Sequence, residues 1–340
     1  MIYRSKAPLR IGLAGGGTDV APYCDRYGGA ILNATLSLYA YASIEPLTNG
    51  KIEFVAIDRN EKVEHEAAPV LPITGTLDLA TGAYNRIAKE WGPLPSGFRL
   101  TTSVDAPAGS GLGTSSTLMV AILGAFAEWL RLPLGEYDLA HLAYRIERED
   151  LAMAGGKQDQ YAATFGGVNF MEFYANDRVI VNPLRIRSQT LHELAHNLLL
   201  YFTATSRKSA DIIAVQSQNV VDNNQQSIEA MHALKEQAQM MKEALLKGKV
   251  DDIGPILDYG FRFKKQMAKG ISNTAMDEVY EKVLAAGATG GKISGAGGGG
   301  FMMFYCPGNT QQAVKMALAD LPGTFRQYDF VEHGQVSWTV

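Results

Sequence analysis

The chain has 340 residues, 46% of them hydrophobic and 19% charged, with a net charge of −4 at pH 7. That balance is ordinary for a globular protein and argues against nucleic acid or an anionic membrane as the main partner. Cys24 and Cys306 show neither metal-ligand spacing nor a disulfide framework, and no apolar run reaches membrane-spanning length. A chain this long favours two domains. Met1 leads straight into Tyr3-Arg4-Ser5-Lys6 without a leader pattern, so the expected location is cytoplasmic.

Residues 9–14 alternate as a strand and run into Gly15-Gly16-Gly17-Thr18-Asp19. Three glycines at a strand end open the backbone to a ligand and leave polar side chains at its mouth. A tight turn with Asp19 capping the next helix reads equally well. Residues 36–45, 51–57 and 98–104 follow as strands, and 77–91 carries apolar residues at helical spacing. Next comes Pro107-Ala108-Gly109-Ser110-Gly111-Leu112-Gly113-Thr114-Ser115-Ser116, leading into a helix over 117–130. Glycines allow close backbone approach, and the unpaired amides of a helix start attract a phosphate chain. The hydroxyls stand where one could ligate a nucleotide-borne magnesium ion. Gly113 is followed by Thr114, so this is no Walker A sequence. A plain glycine turn capped by Thr or Ser stays open as the other reading.

A helix is expected over 137–153. It holds Glu147-Arg148-Glu149 and precedes Gly155-Gly156-Lys157-Gln158-Asp159-Gln160-Tyr161. Carboxylates beside a shaped Gly-Gly turn suit metal binding and proton handling, although the Glu-Arg-Glu segment alone also reads as a solvated charge cluster. A strand over 168–173 follows, and the pattern changes near Asn182-Pro183, which divides the chain into 1–185 and 186–340. Beyond it come a buried strand over 197–204, a mostly helical stretch over 209–247, a helix over 274–286 and a strand over 300–306. Before that last strand lies Gly290-Gly291-Lys292-Ile293-Ser294-Gly295-Ala296-Gly297-Gly298-Gly299-Gly300. So many glycines cost folding entropy unless close approach demands them, although a flexible turn is the simpler alternative.

The three glycine-bearing motifs, in this order, resemble those of the GHMP kinase superfamily, which includes galactokinase, homoserine kinase, mevalonate kinase and phosphomevalonate kinase. The resemblance spans nearly the whole chain. It implies an α+β architecture: an N-terminal domain like ribosomal protein S5 domain 2, with a left-handed βαβ crossover, and a ferredoxin-like C-terminal domain. It implies ATP and Mg²⁺ as cofactors. Pro107, Gly109, Ser110, Gly111, Leu112, Gly113, Thr114, Ser115 and Ser116 match the phosphate loop. Ser115 matches the magnesium-binding serine. Glu147, twelve residues before Asp159, matches the second metal ligand, with Glu149 as its rival. Asp159 matches the family's catalytic aspartate, and Arg10 the basic residue that steadies it.

Galactokinases read Gly-Glu-His-Thr-Asp where this chain has Gly15-Gly16-Gly17-Thr18-Asp19. Losing the Glu and His removes volume and negative charge far from the anomeric hydroxyl, which suits a longer sugar with an anionic tail. The Gly-Gly-Gly-Thr-Asp and Gly-Gly-Lys-Gln-Asp-Gln-Tyr forms look like those of a bacterial subgroup acting on D-glycero-D-manno-heptose 7-phosphate. That subgroup phosphorylates O1 on the route to GDP-heptose. Gly16, Gly17, Thr18, Asp19, Lys157, Gln158, Ser294, Gly295 and Gly297 are the acceptor-side residues so implied, with Arg207, Lys208 and Lys157 offered to the 7-phosphate. An L-fucose-type or other sugar-1-kinase is the alternative within the class, and a non-catalytic sugar and nucleotide sensor the alternative outside it. The expected partners are a sugar phosphate and ATP, with a homodimer as the assembly to test, and neither nucleic acid nor membrane.

Overall fold

Two sheets organise the chain, which the computed structural model describes over residues 1–94, 97–205 and 209–340. The first sheet takes β1 (Tyr3–Ala14), β2 (Gly29–Pro46), β3 (Lys51–Ala56), β4 (Glu61–Glu66), β5 (Phe98–Val104), β6 (Val168–Phe173) and β7 (Val179–Pro183). The second takes β8 (Leu198–Phe202), β9 (Gly290–Ile293), β10 (Phe301–Tyr305) and β11 (Thr324–Arg326), in the order β11-β8-β10-β9. The last strand, β12 (Val336–Thr339), returns to the first sheet and pairs antiparallel with β1. The path through the first sheet is therefore β12-β1-β2-β5-β3-β4, with β6 on β2 and β7 on β6. Patterning near residue 185 gave no sign of that return.

The long strand β2 serves two partners. Gly29–Ala34 pair with β6, and Ala40–Pro46 pair with β5. The ladder between β1 and β2 slips between Pro8 and Arg10, a bulge that bends the pair and re-aims the side chains beside it. Arg10 is one of those side chains, and it is buried.

Alternation along β1 sends Leu9, Ile11 and Leu13 into one core with Leu198, Leu200 and Phe301 of the second sheet and Met241 and Leu245 of the helix Gln225–Lys247. The two halves thus share apolar packing. On the other side, Met119, Ile122 and Phe126 of the helix Thr114–Leu130 pack with Ile44, Phe54 and Phe98.

Several elements depart from the sequence expectations. The helical region over 209–247 divides into Ser209–Val221 and Gln225–Lys247, and the Asn224 side chain caps the second by accepting from Ser227 N at 3.0 Å. The helix expected over 137–153 ends at Arg145 and continues as one π-helical turn, Ile146–Asp150. The helix Ile253–Met267 contains Gly254, Pro255 and Gly260, residues that read as breakers. Two of these glycines allow close packing. A Cβ on Gly254 would lie 1.9 Å from Thr289 Oγ1, and one on Gly260 would lie 2.0 Å from Gln237 Nε2. Among the described residues, no helix is long and apolar enough to cross a membrane.

Candidate active site

The strand end at β1, the glycine loop 107–116 and the glycine run after β9 meet around a cleft of about 690 Å³. The two glycine segments touch backbone to backbone. A Cβ on Gly111 would lie 2.5 Å from Ser294 O, and one on Gly295 would lie 2.8 Å from Gly111 Cα, so neither position admits a side chain. Ser294 Oγ donates to Gly111 O at 2.8 Å, and Phe301 N donates to Ser110 O at 2.9 Å. The third motif is therefore fastened to the first loop from the second sheet.

Gly109, Gly111, Gly113, Thr114, Ser115 and Ser116 line the cleft. Pro107, Ser110 and Leu112 do not form its lining; Ser110 and Leu112 are fully buried beneath it. The helix Thr114–Leu130 starts at this loop with no side-chain cap, which leaves its first amides for a ligand. Such a helix end attracts anions.

Asp159 sits in the first turn of the helix Gln158–Phe165, and Arg10 reaches it from β1. Arg10 Nε donates to Asp159 Oδ1 at 2.7 Å, and Arg10 Nη2 lies 2.6 Å from the same oxygen. Arg10 Nη1 donates to Gly111 O at 2.6 Å. Both contacts of the arginine fall on Oδ1, so Oδ2 stays open on the side of Gly113, 3.2 Å from where a Cβ there would stand.

The π-helical turn separates the two glutamates. Glu147 points inward at 1% exposure, while Glu149 lies half-exposed among Arg86 and Arg145. Ser116 Oγ donates to Glu147 Oε1 at 3.0 Å, and Gln160 Nε2 donates to both Ser116 Oγ and Glu147 Oε2. It is thus Ser116, not Ser115, that touches Glu147. Ser115 is exposed to the cleft and, among the described residues, its hydroxyl has no partner. Burial pushes the Glu147 carboxyl up; its nearest cation is Arg148, 3.9 Å away. Among the described residues no three His, Cys, Asp or Glu side chains cluster as a metal cage. One carboxylate and one free hydroxyl beside a phosphate loop nevertheless fit a magnesium ion that brings most of its ligands as phosphate and water.

The acceptor-side expectations divide. Gly16, Gly17, Asp19, Gln158 and Gly295 line the cleft. Asp19 accepts from Gln158 N at 3.0 Å, so it fixes the start of the helix that carries Asp159, and burial pushes its own carboxyl up. Thr18 is a correction: its hydroxyl shares its one proton between Gly15 O and Ala30 O, accepts from Ala30 N, and is spent on the turn. Gly297 is another, since it packs on Ile271 rather than on the cleft. Ser294, as above, holds a loop. Lys157 is the main correction. It is buried away from the cleft, with Nζ 2.8 Å from Asp177 and 3.7 Å from Asp25 and over the Tyr144 ring. Two nearby carboxylates outcompete the cleft for its charge. Arg207 and Lys208 lie outside the described residues.

Sequence reasoning missed two residues that the structure brings to the cleft, Lys264 and Lys292. Lys264 comes from the helix Ile253–Met267, and its Nζ donates to Gly16 O at 3.3 Å. Lys292 comes from β9 and donates to Gly12 O at 2.5 Å. Burial holds Lys264 down to about 8 and carries Lys292 well below its ordinary value, with Lys264 and Arg10 adding repulsion. The available signal was a lysine inside an otherwise apolar, glycine-flanked strand. A second cavity, about 380 Å³ and mostly apolar, adjoins the cleft. Leu79, Leu100, Leu118 and Ile122 line it, and it shares Thr114 and Ser115 with the cleft.

An uncapped helix start beside a clamped aspartate, at the seam of two sheets, is an arrangement that suits phosphoryl transfer. Residues 78–167 match the family model for the GHMP kinases N terminal domain, and residues 241–322 match the model for GHMP kinases C terminal. The chain belongs to the GHMP kinase family, has its fold, and is an ATP-dependent kinase. It is 47% identical over 337 residues to D-glycero-alpha-D-manno-heptose 7-phosphate kinase of Campylobacter jejuni, covering 99% of both chains. A crystal structure of a D-glycero-D-manno-heptose 1-phosphate kinase from Bacteroides thetaiotaomicron superposes with a TM-score of 0.85 at 46% identity, again over 99% of both chains. Galactokinase from Lactococcus lactis, complexed with galactose, shares the fold with a TM-score of 0.79 at 16% identity, over 98% of this chain and 95% of its own.

Proposed function

We propose that the chain is a cytoplasmic sugar-1-kinase that transfers the γ-phosphoryl group of ATP to O1 of D-glycero-D-manno-heptose 7-phosphate. The product would be the 1,7-bisphosphate, which supplies GDP-heptose synthesis. The observation that carries the reading is the cleft's charge layout. A clamped aspartate stands beside the phosphate loop, and two lysines stand on the acceptor side, in no ion pair among the described residues. The near-half identity to heptose phosphate kinases, over the whole chain, supports the same acceptor. A two-domain division near residue 185 is part of the proposal, with β12 belonging to the first unit.

The chemistry follows from the residues. Backbone amides of Gly109–Ser116 and the helix start hold the triphosphate, and the apolar second cavity takes the nucleoside base. Oδ2 of Asp159 accepts the hydrogen bond from the acceptor O1–H, orients its attack in line and takes its proton. Arg10, occupying Oδ1, holds the carboxylate in place and faces the charge that grows on the transferring group. Asp19 and Gln158 hold ring hydroxyls, Gln158 through an Oε1 that is buried without a partner among the described residues. Glu147 and Ser115 would hold a magnesium ion arriving with ATP, whose chemistry is to draw charge off the phosphates.

The test is ADP release with ATP and magnesium against D-glycero-D-manno-heptose 7-phosphate, mannose, galactose and L-fucose, with phosphorus NMR of the product. Turnover specific to the heptose phosphate with a new anomeric phosphate signal is expected. Preference for a free sugar would overturn the acceptor assignment.

A further inference from the structure

Lys264 and Lys292 pose a physical problem that the free protein leaves unsolved. Both side chains are only 3% exposed, yet neither forms an ion pair among the described residues. Each ammonium carries three donors. The structure gives each one backbone carbonyl, Gly16 O for Lys264 and Gly12 O for Lys292. The two lysines are near enough to repel each other, and Arg10 repels both. Burying like charges without a counter-ion is expensive, because the interior screens them poorly. Asp19 is the nearby carboxylate, and it already accepts the amide of Gln158.

The space in front of the two ammonium groups is kept open by glycine. A Cβ on Gly16 would stand 3.5 Å from Lys264 Nζ and 3.9 Å from Lys292 Nζ, and one on Gly12 would stand 3.9 Å from Lys292 Nζ. A side chain longer than Ala at Gly16 would fill the gap. Two converging cations, unused donors and a gap that a side chain would fill together describe a receptor for a multiply charged oxyanion.

We propose that Lys264 and Lys292 form the binding site for the non-reacting phosphate of the acceptor, and thereby set the preference for a phosphorylated over a neutral sugar. This rests on the acceptor assignment above. A phosphate dianion satisfies the free N–H groups and neutralises both charges, which a neutral hydroxyl cannot do. The second lobe thereby contributes the selectivity, while the first supplies the reacting groups.

The experiment uses the full-length enzyme and the variants Lys264→Met, Lys292→Met and the double variant, in two measurements. The first compares kcat/KM for D-glycero-D-manno-heptose 7-phosphate with that for the same heptose without phosphate. Each single variant should lower that ratio by about ten- to a hundredfold. The second measures the rise in Tm on adding inorganic phosphate, with ADP present to occupy the glycine loop. The wild type should rise and the double variant should not. An unchanged ratio, or a persisting phosphate shift in the double variant, overturns the site. Methionine keeps the volume and removes a buried amine at the cost of its one hydrogen bond, to Gly16 O or Gly12 O, so the variants should fold with a ligand-free Tm within about 8 °C of wild type. The acceptor assignment fails separately: a wild type that turns over only neutral sugars but still shows the phosphate shift keeps the anion site and loses the heptose phosphate.

Discussion

The two walls of the cleft treat charge in opposite ways. On the wall built from β1 and the helix Gln158–Phe165, Arg10 and Asp159 neutralise each other within 2.7 Å, and the Gly111 carbonyl takes a further arginine donor. On the wall built from β9 and the helix Ile253–Met267, Lys264 and Lys292 each donate to one backbone carbonyl and, among the described residues, form no ion pair. A satisfied pair is rigid before any ligand arrives, as groups that must meet a transition state need to be. An unsatisfied pair stores a cost that only an incoming anion relieves, which suits discrimination between ligands. On the proposed reading, the difference separates residues that serve the reaction from residues that serve the choice of substrate.

The largest effect should come from breaking the satisfied wall. Asp159→Asn is expected to lower kcat by about a hundred- to ten-thousandfold with the KM for ATP little changed, as steady-state kinetics on folded protein would register. Near-normal turnover would remove the carboxylate from the mechanism. The unsatisfied wall should instead respond to pH. Lys264, held down to about 8 by burial, is charged below that pH and gains basicity when an anion binds. Asp19 favours its charge, while Arg10 opposes it. Affinity for the phosphorylated acceptor should therefore be full about one unit below pH 8 and fall as the pH rises through it, by up to about tenfold per pH unit. A flat KM from pH 7 to 9.5 would contradict this.

Lys157 provides a control on where the boundary between walls runs. Lys157→Met should cost about 1–3 kcal/mol in denaturant unfolding, because Asp177 and Asp25 lose their cation. A specific rise in KM for the phosphorylated acceptor would instead put Lys157 in the cleft. The smallest change is Gly16→Ala. Its Cβ makes ordinary contacts with both lysines, so folding should survive and acceptor affinity should drop by less than about tenfold, or 1.4 kcal/mol. Full retention of affinity would show that the anion sits elsewhere.

What could be read in the sequence was local. The glycine loop 107–116, the Gly-Gly turn before Asp159 and the inward-facing β1 residues are contiguous patterns, and each motif reaches the cleft. The lysine pair is not local. Lys264 lies in Arg262-Phe263-Lys264-Lys265, which reads as a solvated charged stretch, on a helix whose glycines look like breakers. Only close packing against Thr289 and Gln237 makes those glycines helical and carries Lys264 to Gly16. Lys157 misled for the mirror reason: its place beside Gln158 and Asp159 suggested the cleft, but successive residues at a helix start face different ways. Glu147 and Glu149 could not be separated by spacing, because a π-helical turn, not an α-helical one, sets their directions.

The return of β12 to β1 bears on how the protein is made. The first sheet lacks one of its edges until Val336–Thr339 arrive, and the whole second sheet is synthesised in between. A nascent chain can assemble β1–β7 early, but the outer face of β1 then waits as an unpaired strand, open to any other strand that reaches it. The strand that follows the second sheet thus acts as a late seal on the first lobe. A fragment cut at residue 185 would emerge with that seam exposed.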